Sequence, residues 1–265
     1  MTPLLHEYDI AKGVVAFSST RRGGVSLGHY GEFNINEYCG DDAAHTAANR
    51  MALCGLLRVH PDHLVFPHQT HGDVVIKVDG QWLDSLSPAE KRGSLEGVDA
   101  VMTNLYDVCA GVSTADCIPV LLYDEAHHAC CAVHAGWRGT VRKISRKAVE
   151  AMAVSYGSKP EQLKAVIGPG ISLLHFEVGD EVYEQFSRAG FDMQLISRKY
   201  EKWHIDLWEA NRQLLLAAGM REELIQVSGI CTYDRVEEFF SARRLGILSG
   251  RIFTAIMMRG DGREV

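Results

Sequence analysis

Four short apolar runs crowd into the middle of this 265-residue chain, and they limit what it can fold into. They are Ala100–Thr103, Val108–Val112, Ile118–Tyr123 and Ala129–Val133. Each has strand length and is bounded by polar residues or glycine, a pattern that predicts buried strands rather than helices. The strict β-α-β alternation of a doubly wound fold is missing between residues 63 and 134, so the expected class is α+β. No repeat, low-complexity tract or Pro/Ser-rich linker interrupts the sequence, and residues 1–265 are read as one domain, with mixed sheets at the centre and helices outside.

Flanking elements fit that frame. Residues 43–57 read as a helix with Asp42 as N-cap, preceding a strand-like pair at His63–Phe66 and Val74–Val78. A basic amphipathic helix is expected over Val141–Tyr156, ending at Gly157, where a left-handed cap suits glycine. Ser158 and Glu161 have capping-box spacing, with Pro160 inside the first turn. A strand at Ala165–Ile167 runs into GPG at 168–170. Helices follow near Val178–Ala189 and Leu207–Ala218, the second capped by Asp206 and closed by Gly219. Strands at Ile225–Ile230 and Ile252–Met258 finish the chain.

A net charge of −7 argues against a nucleic-acid partner, whose phosphates reward clustered Lys and Arg. No apolar run is long enough to span a membrane, and MTPLLHEYDI lacks the basic and apolar regions of a secretory signal. The 7 cysteines are odd in number, include an adjacent pair and form no C-x-x-C. A reducing, cytoplasmic compartment is expected, with most thiols in the core.

Three segments join metal-capable side chains to strand–loop transitions: His68-Gln69-Thr70-His71-Gly72, Thr114-Ala115-Asp116-Cys117 and His134-Ala135-Gly136-Trp137-Arg138-Gly139. Ends of neighbouring strands converge in space however far apart they lie in sequence. His71, Cys117 and His134 are a sensible ligand set for zinc, leaving the fourth tetrahedral position open as in catalytic sites. Zinc lowers the pKa of a bound water to roughly 7. With 12 His and 7 Cys, chance placement near strand ends competes with that reading. So does a Cys117 nucleophile with His134 as base and His71 orienting, although no helix obviously begins at Cys117 to lower its pKa. Asp116 is either a proton carrier, an orienting partner for a ligating His, or a loop cap. Anion contacts are expected from Arg21 and Arg22 beside Gly23-Gly24, from Arg138 at the start of the basic helix, and from Arg243-Arg244. For the first of these an exposed turn with solvated arginines is an equal alternative.

Taken in order, the motifs resemble one known family. They are STRRGGVS (19–26), GDD with downstream Asn49-Arg50, QTHGD (69–73), VDAVMTN (98–104) and TADCIPVLL (114–122). AVHAGWRGT (132–140), IGPGI (167–171), FEVGDEV (176–182), CTY (231–233) and FFSARR (239–244) continue the series. Together they resemble the laccase-domain or YfiH-like family, also called multicopper polyphenol oxidase-like or purine nucleoside phosphorylase-like. TADC combined with HAGWRGT is the specific part.

The resemblance implies a single α+β domain of two packed mixed β-sheets flanked by helices. It implies a metal, usually regarded as zinc, on His71, Cys117 and His134. It also implies phosphorolysis of adenosine, inosine and methylthioadenosine, with hydrolytic deamination of adenosine to inosine. The partners are then small-molecule nucleoside and phosphate, with no nucleic acid and no membrane; a homo-oligomer is left open. A copper-dependent, laccase-like polyphenol oxidase travels with the family as an alternative, Cu2+ replacing Zn2+. A Cys-His hydrolase acting on cell-wall precursors is another. One mixed His/Cys site lacks the several His-rich copper sites that four-electron oxygen reduction calls for. The sequence departs from the family pattern at GPGISLLHFEVG, where Gly170, Leu174 and His175 occupy a stretch that carries cysteines in many relatives. His68 also lies outside the pattern; a spare metal ligand, a base and a surface residue are the alternatives for it, and the last is favoured.

Overall fold

A computed structural model of the chain describes residues 2–260. Fourteen strands are named here in chain order: β1 Leu5–Glu7, β2 Val14–Ser19, β3 Leu64–Val65, β4 Val75–Val78, β5 Ala100–Thr103, β6 Cys109–Thr114 and β7 Ile118–Asp124. They continue with β8 Ala129–Ala135, β9 Lys164–Ile167, β10 Glu177–Val178, β11 Ser197–Lys199, β12 Trp203–Ile205, β13 Ile225–Val227 and β14 Ile252–Met258. The helices are α1 Ala43–Leu57, α2 Gly80–Ser85, α3 Pro88–Ser94, α4 Trp137–Val141, α5 Ile144–Tyr156, α6 Asp180–Arg188, α7 Met193–Ile196, α8 Leu207–Ala217 and α9 Ala242–Leu245.

Two mixed sheets carry the molecule. One has five strands in the order β1-β2-β14-β6-β3, and the other has six in the order β13-β9-β7-β8-β5-β4. They pack face to face. Ala16, Val112, Ile256 and Met258 of the first meet Leu121, Tyr123, Cys130, Ala132 and Val166 of the second. The outer face of the six-stranded sheet is covered by α5 and α8, where Val120, Leu122, Cys131 and Val133 pack on Ile144, Ala148, Met152 and Leu215. The outer face of the five-stranded sheet is covered by α1, with Phe17, Phe253 and Met257 against Leu53 and Leu57. The central strands are therefore wetted on neither face, which is why their apolar runs are continuous instead of alternating. Along β7 and β8 alternate residues face helices or the partner sheet, and both sets are apolar. A smaller sheet, β10-β12-β11, stands apart from the other two. No helix among the described residues is long and apolar enough to cross a membrane.

The α+β expectation holds, and several boundaries coincide with the sequence reading. Asp42 caps α1 by accepting from Ala44 and His45 N–H, and Asp206 caps α8 by accepting from Glu209 N–H. Other expectations need correction. The helix placed over 141–156 is two, α4 and α5, because Lys143 adopts φ 65° and breaks the path between them. Ser158 and Glu161 form no capping box; residues 160–162 are a single 3-10 turn without a side-chain cap. The capping box lies instead at α3, where Ser87 and Glu90 satisfy each other's backbone N–H. The strands on either side of PHQTHGD do not pair. β3 joins β6 in one sheet and β4 joins β5 in the other, so the loop between them bridges the two sheets.

Candidate metal centre

Strand pairing brings Cys117 and His134 together. β7 and β8 are antiparallel, with Ile118 opposite Ala135 and Pro119 opposite His134, so the residue before β7 lies beside the end of β8. Cys117 itself belongs to the short link that carries the chain from β6 in one sheet to β7 in the other. Asp116 in that link has φ 81° and His71 has φ 61°, conformations L side chains adopt rarely and that cluster where function demands a particular aim. The ligand atoms of His71, Cys117 and His134 all lie within 4.8 Å of one another. The two imidazoles meet edge to face at 4.9 Å between centroids. Beneath them Gly136 has no Cβ, and one placed there would come within 3.0 Å of His71 Cδ2 and 3.1 Å of Cys117 Sγ. The close approach of the triad to the backbone thus needs glycine at 136.

The fully buried Asp99, just ahead of β5, organises the cluster, and sequence reasoning missed it. Its Oδ1 receives the hydrogen bond of His134 Nδ1 at 2.7 Å and that of His71 N–H at 3.1 Å. Its Oδ2 accepts from Gly72 N–H at 2.6 Å and Thr70 N–H at 3.4 Å. One carboxylate therefore folds the His71 loop and fixes His134 with its other nitrogen turned to Cys117, the arrangement that orients metal-ligating imidazoles. The available signal was a carboxylate inside the apolar run VDAVMTN, since a buried Asp must be paired.

Burial opposes ionisation of Cys117, but the charge of His134 and hydrogen bonds from His134 and His71 outweigh it and bring the thiol down to about 6. Burial likewise opposes the imidazolium of His134. Cys117 and Asp99 overcome that and raise it to about 9. The pair favours the thiolate, the form that binds metal. Two imidazoles, one thiolate and an anchoring carboxylate fit a zinc ion, and the soft sulfur also suits copper.

The triad opens into a cavity of about 220 Å³ walled by Tyr38, His68, Ser113, Thr114, Ile247 and Arg251, among others. Ser113 Oγ and Thr114 Oγ1 are buried and have no hydrogen-bond partner among the described residues. Leaving such groups unsatisfied costs about 1–3 kcal/mol each. His68, read from sequence as a surface residue, is half-buried in this wall instead.

The expected anion-binding arginines lie elsewhere. None of Arg21, Arg22, Arg138 and Arg243 lines the cavity. Arg21 donates to Gly31 and Val236 carbonyls, both at 2.8 Å, and stacks over Phe240. Arg22 pairs with Glu32 and Glu237. Arg138 lies over its neighbour Trp137, and Arg243 donates to the carbonyls of His175 and Glu177. The arginine in the wall is Arg251, which donates through Nη1 to the carbonyls of Ser249 and Gly250 and through Nη2 to that of Ile247. Asp116 is adjacent to Cys117, but both its oxygens are engaged. Oδ1 accepts from Thr232 Oγ1 and Oδ2 from Arg243 N–H, each at 2.7 Å. Its carboxylate ties the chain's C-terminal third to the β6–β7 link, which is the loop-holding role among the three open to it in sequence.

A second group, His175, Cys231 and Asp234, also has ligand-capable atoms within 4.8 Å. There the side chains satisfy one another and a neighbour: His175 Nε2 bonds Asp234 Oδ1 at 2.7 Å, and Cys231 Sγ bonds Ser172 Oγ at 3.3 Å.

Comparison with known proteins adds independent findings. A sequence model described as multi-copper polyphenol oxidoreductase laccase matches residues 15–259. The chain is 48% identical to a purine nucleoside phosphorylase of Bacteroides thetaiotaomicron, over 91% of this chain and 90% of that one. It is 42% identical to adenosine deaminase RL5 of an unknown prokaryotic organism, over 95% and 98% respectively. Among solved structures, the hypothetical protein YfiH of Bacillus licheniformis superposes with a TM-score of 0.88 at 29% identity, covering 97% of each chain.

Proposed function

This chain belongs to the multi-copper polyphenol oxidoreductase laccase family, and we propose that it is a metal-dependent purine nucleoside enzyme. It phosphorolyses adenosine, inosine and methylthioadenosine to free base and ribose 1-phosphate or its methylthio analogue, and it deaminates adenosine to inosine by hydrolysis. The carrying observation is that the His71–Cys117–His134 cluster opens onto a cavity whose wall includes Tyr38, His68 and Arg251. Relatives named purine nucleoside phosphorylase and adenosine deaminase support both reactions. His71, Cys117 and His134 would hold the metal, zinc in preference to copper, and Asp99 would keep His134 in the ligating orientation. Bound there, a divalent metal supplies Lewis acidity, which polarises oxygen and stabilises developing negative charge.

The chain's own residues supply the rest. Arg251 is the arginine of the cavity wall; its Nη1 donates to the carbonyls of Ser249 and Gly250 and its Nη2 to that of Ile247, which leaves Nε–H and the second Nη2–H for phosphate. Tyr38 presents an aromatic ring in the same wall, of the kind against which a purine stacks.

The test is a product analysis. Metal-replete protein is incubated with adenosine, with and without phosphate, and adenine, inosine and ribose 1-phosphate are followed separately. Adenine and ribose 1-phosphate are expected only when phosphate is present, and inosine in either case. Oxidation of a phenol with oxygen uptake, while adenosine stays intact, would establish the oxidase in place of the nucleoside enzyme.

A further inference from the structure

Phosphorolysis leaves one chemical demand unmet by the groups assigned so far. As C1′–N9 breaks, the bonding pair goes to the purine, and an unprotonated purine anion is a poor leaving group. A proton delivered to N7 removes that charge. We propose that His68, held by Glu96, delivers it. The proposal rests on the nucleoside reading above.

The geometry is that of an imidazole prepared for proton transfer. His68 Nδ1 lies 2.8 Å from each carboxylate oxygen of Glu96, so Nδ1–H donates to the carboxylate and Nε2 is left as the working nitrogen. A carboxylate behind an imidazole fixes the tautomer and the ring and stabilises the cation. The backbone is fixed as well. His68 N–H donates to the Leu95 carbonyl at 3.1 Å, its carbonyl accepts from Gly97 N–H at 3.0 Å, and Glu96 lies across this bridge. The Tyr38 stack holds the remaining ring face.

The other titratable groups of the cavity wall do not serve. His71, Cys117 and His134 form the ligand cluster. Burial raises the Cys39 thiol and the Tyr38 hydroxyl above their ordinary ranges. The guanidinium of Arg251 does not deprotonate. His68, with a carboxylate behind its ring, is the remaining imidazole of this wall outside the ligand cluster.

The step balances. A phosphate oxygen bonds C1′ while C1′–N9 breaks. The pair moves into the purine, N7 takes the proton from His68 Nε2, and neutral base leaves. The proton that monohydrogen phosphate sheds on forming the ester restores His68. Deamination breaks no glycosidic bond and does not use this proton.

The experiment compares His68→Gln with wild type on inosine and on 7-methylinosine, whose N7 is already cationic and needs no proton. Phosphorolysis of inosine should fall about 10²- to 10⁴-fold, the usual contribution of a positioned acid. Phosphorolysis of 7-methylinosine and deamination of adenosine should stay within about threefold of wild type, which also shows that the variant is folded and carries its metal. Glu96→Gln should lie between the two on inosine. Equal losses on both nucleosides, or no loss on inosine, would overturn the proposal. Wild type inert toward every nucleoside would remove the nucleoside reading, and this proposal with it.

Discussion

Cys117→Ala is expected to carry no stoichiometric zinc and to release neither adenine nor inosine from adenosine. The thiolate is the one anionic member of the cluster, and the two imidazoles alone hold a divalent ion far less tightly. Serine at 117 does not rescue the site, because a hydroxyl remains protonated at neutral pH where this thiol, near 6, is largely ionised. Both products should vanish together, since phosphorolysis and deamination share the site. Metal content and product formation are measured on the same preparation. Thermal unfolding of the variant is compared with that of zinc-stripped wild type. Coincident unfolding with absent activity assigns the loss to the ligand and not to the fold. Retention of either product would detach that reaction from Cys117.

Asp99→Ala should produce the largest loss of stability among the site substitutions. It removes the partner of the buried His134 side chain and of three N–H groups in the His71 loop, all in one place. Breaking a buried charged pair by deleting one member costs about 3–5 kcal/mol. For a chain of this size that lowers Tm by on the order of 10 °C. Metal affinity should fall as well, by about 10- to 100-fold, the usual effect of losing the group that orients a ligating histidine. Asp99→Asn keeps one acceptor oxygen and should lie between wild type and the alanine variant in both measurements. Calorimetry and a competitive zinc titration check the two effects separately. An Asp99→Ala variant that unfolds at the wild-type temperature would show that this carboxylate does not organise the loop.

The sequence disclosed what one side chain or one run could announce by itself. β5, β7, β8 and β14 are legible because both faces of each are covered, so apolar residues dominate each run. α1 and α8 are legible through Asp42 and Asp206, whose capping bonds are local. What failed depended on distant parts of the chain. Lys143 breaks the basic helix with no glycine or proline to mark the place. Residues 63–66 and 74–78 enter different sheets because β3 and β4 find different distant partners.

The site divides in the same way. His71, Cys117 and His134 stood out by ligand chemistry at strand ends. Asp99 did not, because a carboxylate beside a strand shows its purpose only when the loop it holds is in view. The arginines misled for a related reason. A guanidinium beside glycines resembles an anion site in sequence, but Arg21 and Arg243 spend their donors on backbone carbonyls. Arg251 reaches the cavity from just ahead of β14, far along the chain from the ligands, and it too donates to carbonyls, those of Ser249, Gly250 and Ile247.

The central claim is that one metal, held by His71, Cys117 and His134, is required for nucleoside turnover at this cavity. Its most direct test is to strip the purified protein with a chelator, return zinc in substoichiometric steps, and measure phosphate-dependent release of adenine at each step. The account requires release to be lost on stripping and to rise in proportion to added zinc, with a break at about one zinc per chain. Undiminished release from fully stripped protein would contradict it.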